Sequence, residues 1–88
     1  MRPRDLVLIE PLRRTLRACR KSDTPATRTA LREVIHATVD VMRAEGEPVE
    51  AIIRLIKQAT GDTDTPRERD ALAMQAVTWC TDYYFDAP

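Results

Sequence analysis

Apolar residues return every three or four positions along most of this chain, the spacing of one face of an α-helix. Between Pro11 and Lys21 the repeat is Leu12, Leu16 and Cys19. The next repeat runs Leu31, Val34, Ile35, Thr38, Val41 and Met42. Val49, Ile52, Ile53 and Ile56 follow, widened by Leu55 and Ala59. The last repeat is double. Leu72, Ala76, Trp79 and Tyr83 form one strip, and Ala73, Val77, Cys80 and Tyr84 the next.

Local signals bracket these repeats. Thr24-Pro25 offers a hydroxyl N-cap followed by proline at the first helical position, where its missing N–H costs nothing. Glu47-Pro48 repeats that pattern with a poorer cap. Thr65 and Glu68 have capping-box spacing around Pro66. Gly46 and Gly61 stand where helices end, and each suits a left-handed residue after the last turn. The spacing therefore predicts helices over about 11–21, 25–45, 48–60 and 66–85. Before them lies Leu6-Val7-Leu8-Ile9, closed by Glu10-Pro11. Residues 1–10 read as an extended apolar arm, or the first helix starts near Asp5 and kinks at Pro11. The expected fold class is all-α: a small four-helix bundle, or three helices plus an N-terminal helical arm. Two glycines and few aromatics argue against a sheet built on tight turns.

Length and composition narrow this picture. Eighty-eight residues fit one helical domain, 1–88. A chain of this size buries only about 60–65% of its unfolded surface, so completion by a partner or by self-association is an ordinary route to stability. With 43% apolar and 32% charged residues the composition is that of a folded chain rather than a disordered one. No apolar run approaches the ~18 residues of a membrane span. The four-residue run near the start is too short for the core of a secretory signal, so a cytoplasmic location is expected. Arginine outnumbers lysine twelve to two, the bias of a GC-rich, bacterial genome.

The neutral total hides a polarised chain. Residues 1–44 hold ten Lys/Arg against five Asp/Glu, whereas residues 45–88 hold four against nine. Within the stretch RRTLRACRK, Arg13, Arg14, Arg17, Arg20 and Lys21 span roughly 120° of the helical wheel, away from Leu12, Leu16 and Cys19. Such a face can contact phosphates, pair with an acidic protein surface (a second copy included), or simply be solvated. No aromatic is interleaved for base stacking, which weighs against nucleic acid. The junction from Met42 to Ile52 has glycine in its turn and an aliphatic six residues later, and that spacing resembles the bacterial helix-turn-helix pattern. It departs from the pattern at Glu47, where an apolar residue is usual. Glu47 and Glu50 also place carboxylates at the start of the would-be recognition helix, where they repel phosphate.

Candidate chemistry is sparse. His36, the one histidine, falls on the polar face of the second helix between Arg32 and Asp40, and is expected to meet water. A histidine midway along a bundle helix resembles, in architecture, the histidine phosphotransfer domains. That resemblance implies a phosphoryl site at His36 with lysine three and glycine four residues beyond it. Val39 and Asp40 stand there instead, and a carboxylate opposes a phosphoryl group. Cys19 and Cys80 lack metal-site spacing and fall on apolar faces, so they read as small core residues, with a disulfide left open. Gly61-Asp62-Thr63-Asp64 lacks the length and closing glutamate of an EF-hand loop. No metal, no cofactor and no catalytic set is expected.

The function expected is that of a small non-enzymatic protein-interaction domain, a regulator, adaptor or small subunit that binds a protein partner or itself as a homodimer. Two surfaces carry the expectation. One is the cationic face of Arg13, Arg14, Arg17, Arg20 and Lys21. The other joins Leu8 of the arm to Met74, Tyr84 and Phe85 of the last helix. The alternative is a nucleic-acid-binding protein that uses the same cations.

Overall fold

In the computed structural model, residues 3–61 and 71–86 are described. They form four helices, α1 (Pro3–Lys21), α2 (Pro25–Ala44), α3 (Val49–Thr60) and α4 (Ala71–Asp86), with no strand among the described residues. The fold is a small all-α bundle of four helices.

The α2 boundaries follow from local chemistry. Thr24 lies in extended backbone, and its side chain accepts from the Thr27 N–H at 3.1 Å. Thr27 Oγ1 in turn accepts from the Thr24 N–H at 2.9 Å, completing a capping box with threonine in the third position. At the other end Gly46 takes φ +79. The Gly46 N–H donates to Arg43 O and the Glu47 N–H to Met42 O, each at 3.0 Å. This paired closure of the last carbonyls needs a left-handed residue at position 46. Pro48 is the N-cap of α3 rather than its first helical residue. Gly61 corrects another expectation. Its φ of −71 is right-handed, a conformation open to any residue. The expected start of the last helix at Thr65-Pro66 lies outside the described residues.

The largest departure is at the N-terminus. Residues 3–10 are not an extended arm; they are the first turns of α1, which runs through Pro11. Of the two expected readings, the helix starting near Asp5 is the one that holds, begun two residues earlier. Pro11 removes the N–H that would bond the Val7 carbonyl, but Val7 is 71% exposed and stands on the solvent side. Thr15 Oγ1 donates to the Pro11 carbonyl at 2.8 Å. Ile9 is buried in the core, and its burial rewards continuing the helix through a residue that propensity disfavours.

One core unites the four helices: Ile9, Leu12, Leu16 and Cys19 from α1, Leu31, Ile35, Val39 and Met42 from α2, Ile52, Leu55, Ile56 and Ala59 from α3, and Ala76 and Cys80 from α4. The face of α2 is rotated from the expected one, since Val39 is buried and Val41 is 43% exposed. Buried Thr38 satisfies its hydroxyl on the Val34 carbonyl at 2.8 Å. Each of α1 and α4 packs against both α2 and α3, while α1 and α4 lie across the diagonal from one another. Arg4 on α1 meets Glu45 at 3.1 Å and Glu47 at 3.5 Å beyond the end of α2. Tyr84 OH on α4 donates to the Glu47 carbonyl at 3.2 Å. The start of α1 and the end of α4 therefore share one end of the bundle at opposite corners.

Candidate functional site

The outward face of α1 has two halves. Leu6 and Val7 are exposed apolar residues near its start, and Arg14, Arg17 and Lys21 are exposed cations near its end. Helical spacing puts all five on one side, with Glu10 between the halves. None of Arg14, Arg17 and Lys21 forms an ion pair among the described residues. Arg20 is exposed as well, whereas Arg13 is half-buried. The cationic face of the sequence is thus present, centred one turn away from Arg13.

The outward face of α4 is different. Met74, Thr78, Thr81 and Phe85 recur at i, i+4, i+7 and i+11 and form one stripe. Met74 is 64% and Phe85 67% exposed. Between them Thr78 Oγ1 donates to Met74 O at 3.0 Å and Thr81 Oγ1 to Val77 O at 2.9 Å. Both hydroxyl protons are therefore engaged within the helix, which leaves the stripe dominated by methyl, thioether and aromatic surface. The only charges on α4 are Asp82 and Asp86, to one side.

Two residues of the expected second surface lie elsewhere. Leu8 is half-buried and packs on the core, so Leu6 and Val7 are the apolar side chains that α1 offers to solvent. Tyr84 is also half-buried, its hydroxyl tied to the α2–α3 junction and its ring edge-on to Phe85 at 5.1 Å between centroids. The surface joining the N-terminal residues to Met74 and Phe85 does not form as one patch, because α1 and α4 occupy opposite corners.

Sequence reasoning missed a third feature, a groove of about 390 Å³ between α2 and α4. His36 does not simply meet water: its ring stacks on that of Tyr83 at 4.0 Å between centroids and 10° between planes. Tyr83 OH donates to Asp40 Oδ1 at 2.9 Å. That bond favours the neutral phenol and, with burial, pushes the Tyr83 pKa above its ordinary value. Trp79, Glu33, Asp82 and Asp86 line the groove with them, and Arg32 and Thr29 complete it. Glu33, Asp82 and Asp86 form no ion pair among the described residues. The signal available in the sequence was the placement of Trp79 and Tyr83 on one strip of α4. What no local pattern displays is that α2 presents His36 to that strip.

A smaller cleft of about 200 Å³ lies beside Arg4, Asp5, Glu47 and Arg54. Its charges are largely matched, with Arg4 bonded to Asp5 at 2.8 Å as well as to Glu45 and Glu47. It clips the start of α1 to the α2–α3 junction. Cys19 and Cys80 are buried free thiols, and burial pushes Cys80 up to about 11. A thiol so placed is a poor nucleophile at neutral pH. Among the described residues no group of three or more His, Cys, Asp or Glu side chains is arranged to hold a metal ion, and no helix is long and apolar enough to cross a membrane.

Searches of protein-family models, of curated proteins and of solved structures find no match to this chain. The class defined by its own geometry is a small all-α four-helix bundle with two unlike outward faces and an aromatic groove.

Proposed function

We propose that this chain is a non-enzymatic protein-interaction domain, a cytoplasmic bacterial regulator, adaptor or small subunit, and that the outward stripe of α4 is its main contact. The observation that supports this reading is the uncharged stripe from Met74 to Phe85. Solvated helix faces carry charges, as the exposed positions of α2 (Arg28, Arg32, Glu33) and α3 (Glu50, Arg54, Lys57) do here. A stripe of methionine, threonine methyl and phenylalanine instead gains free energy when a protein surface covers it. Methionine and aromatic side chains are also enriched in interface cores.

The test is capture from native lysate after nuclease treatment, comparing the wild type with Met74→Glu/Phe85→Glu. The expected result is a protein retained by the wild type and lost with the double variant, whose helicity is unchanged by circular dichroism. Equal recovery by both would remove α4 as the contact.

A second reading has its own support. Arg14, Arg17 and Lys21 are exposed and without ion pairs among the described residues, and three phosphate contacts to duplex DNA would give a log–log salt slope of about −3. Weighing against it, α1 carries no aromatic side chain beside those cations. Fluorescence anisotropy with a labelled duplex across a salt series decides this reading. No binding at low salt rules it out.

A further inference from the structure

We infer that the α2–α4 groove receives the cationic face of α1 from a second copy of this chain. The inference deepens the interaction reading by naming a partner, and so rests on it, but it uses a different surface from the α4 stripe.

Charge complementarity carries the argument. The groove presents Glu33, Asp82 and Asp86 around the half-buried rings of Trp79, Tyr83 and His36. Among the described residues those three carboxylates have no ion-pair partner, and Arg32 is the one cation lining the groove. Arg14, Arg17 and Lys21 on α1 are in the converse position, cations with no ion pair among the described residues. Asp82 and Asp86 cannot meet these cations within one chain, since α1 and α4 lie across the bundle diagonal, and Glu33 on α2 lines the groove on the α4 side. The two sets can meet between chains.

The chemistry of the groove suits this occupant. A guanidinium binds carboxylates through paired N–H donors and also stacks on aromatic faces. Trp79 supplies such a face, and the Tyr83 ring is held on both sides of its function by the His36 stack and the Asp40 hydrogen bond. Arg14, Arg17 and Lys21 fall on successive turns of one helix side, spanning about 10 Å along the axis. Asp82 and Asp86 are one turn apart on α4, about 6 Å along it, with Glu33 across the groove on α2. The outward face of α1 and the groove lie on different sides of the bundle, so the contact is heterologous. It repeats from copy to copy, into a ring or an open chain, and does not close as a two-fold dimer.

Sedimentation velocity on the full chain tests this at about 20 mM and about 500 mM salt, conditions that differ several-fold in Debye length. The wild type is expected to grow with concentration past the mass of a dimer at low salt and to return toward its 10.0 kDa monomer at high salt. Asp82→Lys/Asp86→Lys and Arg14→Glu/Arg17→Glu should each stay monomeric alone. Mixed together they should associate again, because each reversed surface then finds its complement. That rescue excludes misfolding as the cause of the loss. A wild type that stays monomeric at low salt overturns the inference, as does a mixture that fails to associate. Met74→Ser/Phe85→Ser should self-associate like the wild type. If it alone abolishes association, the α4 stripe is the self-contact: this inference fails while the interaction reading stands.

Discussion

α1 and α4 stand at opposite corners of the same bundle and solve the problem of burial in opposite ways. The core contribution of α1 is large and branched, with Ile9, Leu12 and Leu16 buried, while its solvent side turns cationic. The fully buried residues of α4 are small, Ala76 and Cys80, with larger rings arranged half-buried around them. With Ala76 and Cys80 fully covered, α4 seats small residues rather than large ones in the core. Its remaining apolar side chains, Met74 and Phe85, are then left outside. Where the polarity of a helix is divided sharply between two faces, one face is core and the other is solvated. Where it is not, as in α4, the excess apolar surface is what a partner can use.

The contrast between the two cores has the largest expected consequences. Leu12 is fully buried, so Leu12→Ala should cost about 2–5 kcal/mol of unfolding free energy through lost burial and a residual cavity. The corresponding position on α4 is already alanine, and the opposite change applies. Ala76→Leu should cost about 1–3 kcal/mol by forcing the closely packed helix outward. Urea denaturation of both variants measures these effects. If Ala76→Leu were neutral or stabilising, the account of α4 as a helix seated on small residues would be wrong.

The pH dependence of α4 sharpens the same point. Burial raises the Cys80 thiol from 9.0 to about 11 in the folded state. The folded form therefore holds its proton where the unfolded form has released it. This contribution is intact below pH 9 and is lost as pH rises through about 11. Stability measured from pH 8 to 11 should decline in the wild type and decline less in Cys80→Ala. Native Cys80 should also resist thiol reagents at pH 8 until denaturant is added, which tests the burial without reference to any pKa.

How far these features were legible in the sequence depends on the range of the forces that produce them. Thr24-Pro25 and Gly46 were readable because a cap is settled within a few residues. Pro11 left two readings open, an extended arm or a helix through the proline, because the penalty for proline in a helix is local while the burial of Ile9 that offsets it is tertiary. Val39 and Val41 are both plausible neighbours of the α2 stripe, and only the positions of α1 and α4 decide which is covered. Gly61 is compatible with either hand, so its identity alone did not fix its φ. The candidate surfaces divide in the same way. The exposed cations of α1 and the exposed Met74 and Phe85 followed from periodicity within one helix. The union of Leu8 with Phe85 did not hold, because it required α1 to lie beside α4, and helix order around a bundle is not written in any one helix. The stack of His36 on Tyr83 was invisible for the same reason, the two residues being 47 positions apart.

The smallest expected effects on stability belong to the outward faces, and these effects separate surface from core. Arg14→Gln/Arg17→Gln alters exposed residues that form no ion pair among the described residues and should change the unfolding free energy by no more than about 0.5 kcal/mol. Met74→Ser/Phe85→Ser also removes the edge-on contact of Phe85 with Tyr84 and should cost up to about 1.5 kcal/mol. Their effects on binding should diverge. Loss of the α1 cations should weaken a salt-sensitive association, since exposed charges act through a field that ions screen. Loss of the α4 side chains should weaken an association that survives high salt, since apolar burial does not depend on that field. Chemical denaturation paired with a binding isotherm at two salt concentrations resolves the four quantities. If Met74→Ser/Phe85→Ser destabilised the isolated chain by more than about 2 kcal/mol, beyond the loss of one ring–ring contact and the surface limit, the stripe would belong to the fold itself and the distinction drawn between α1 and α4 would collapse.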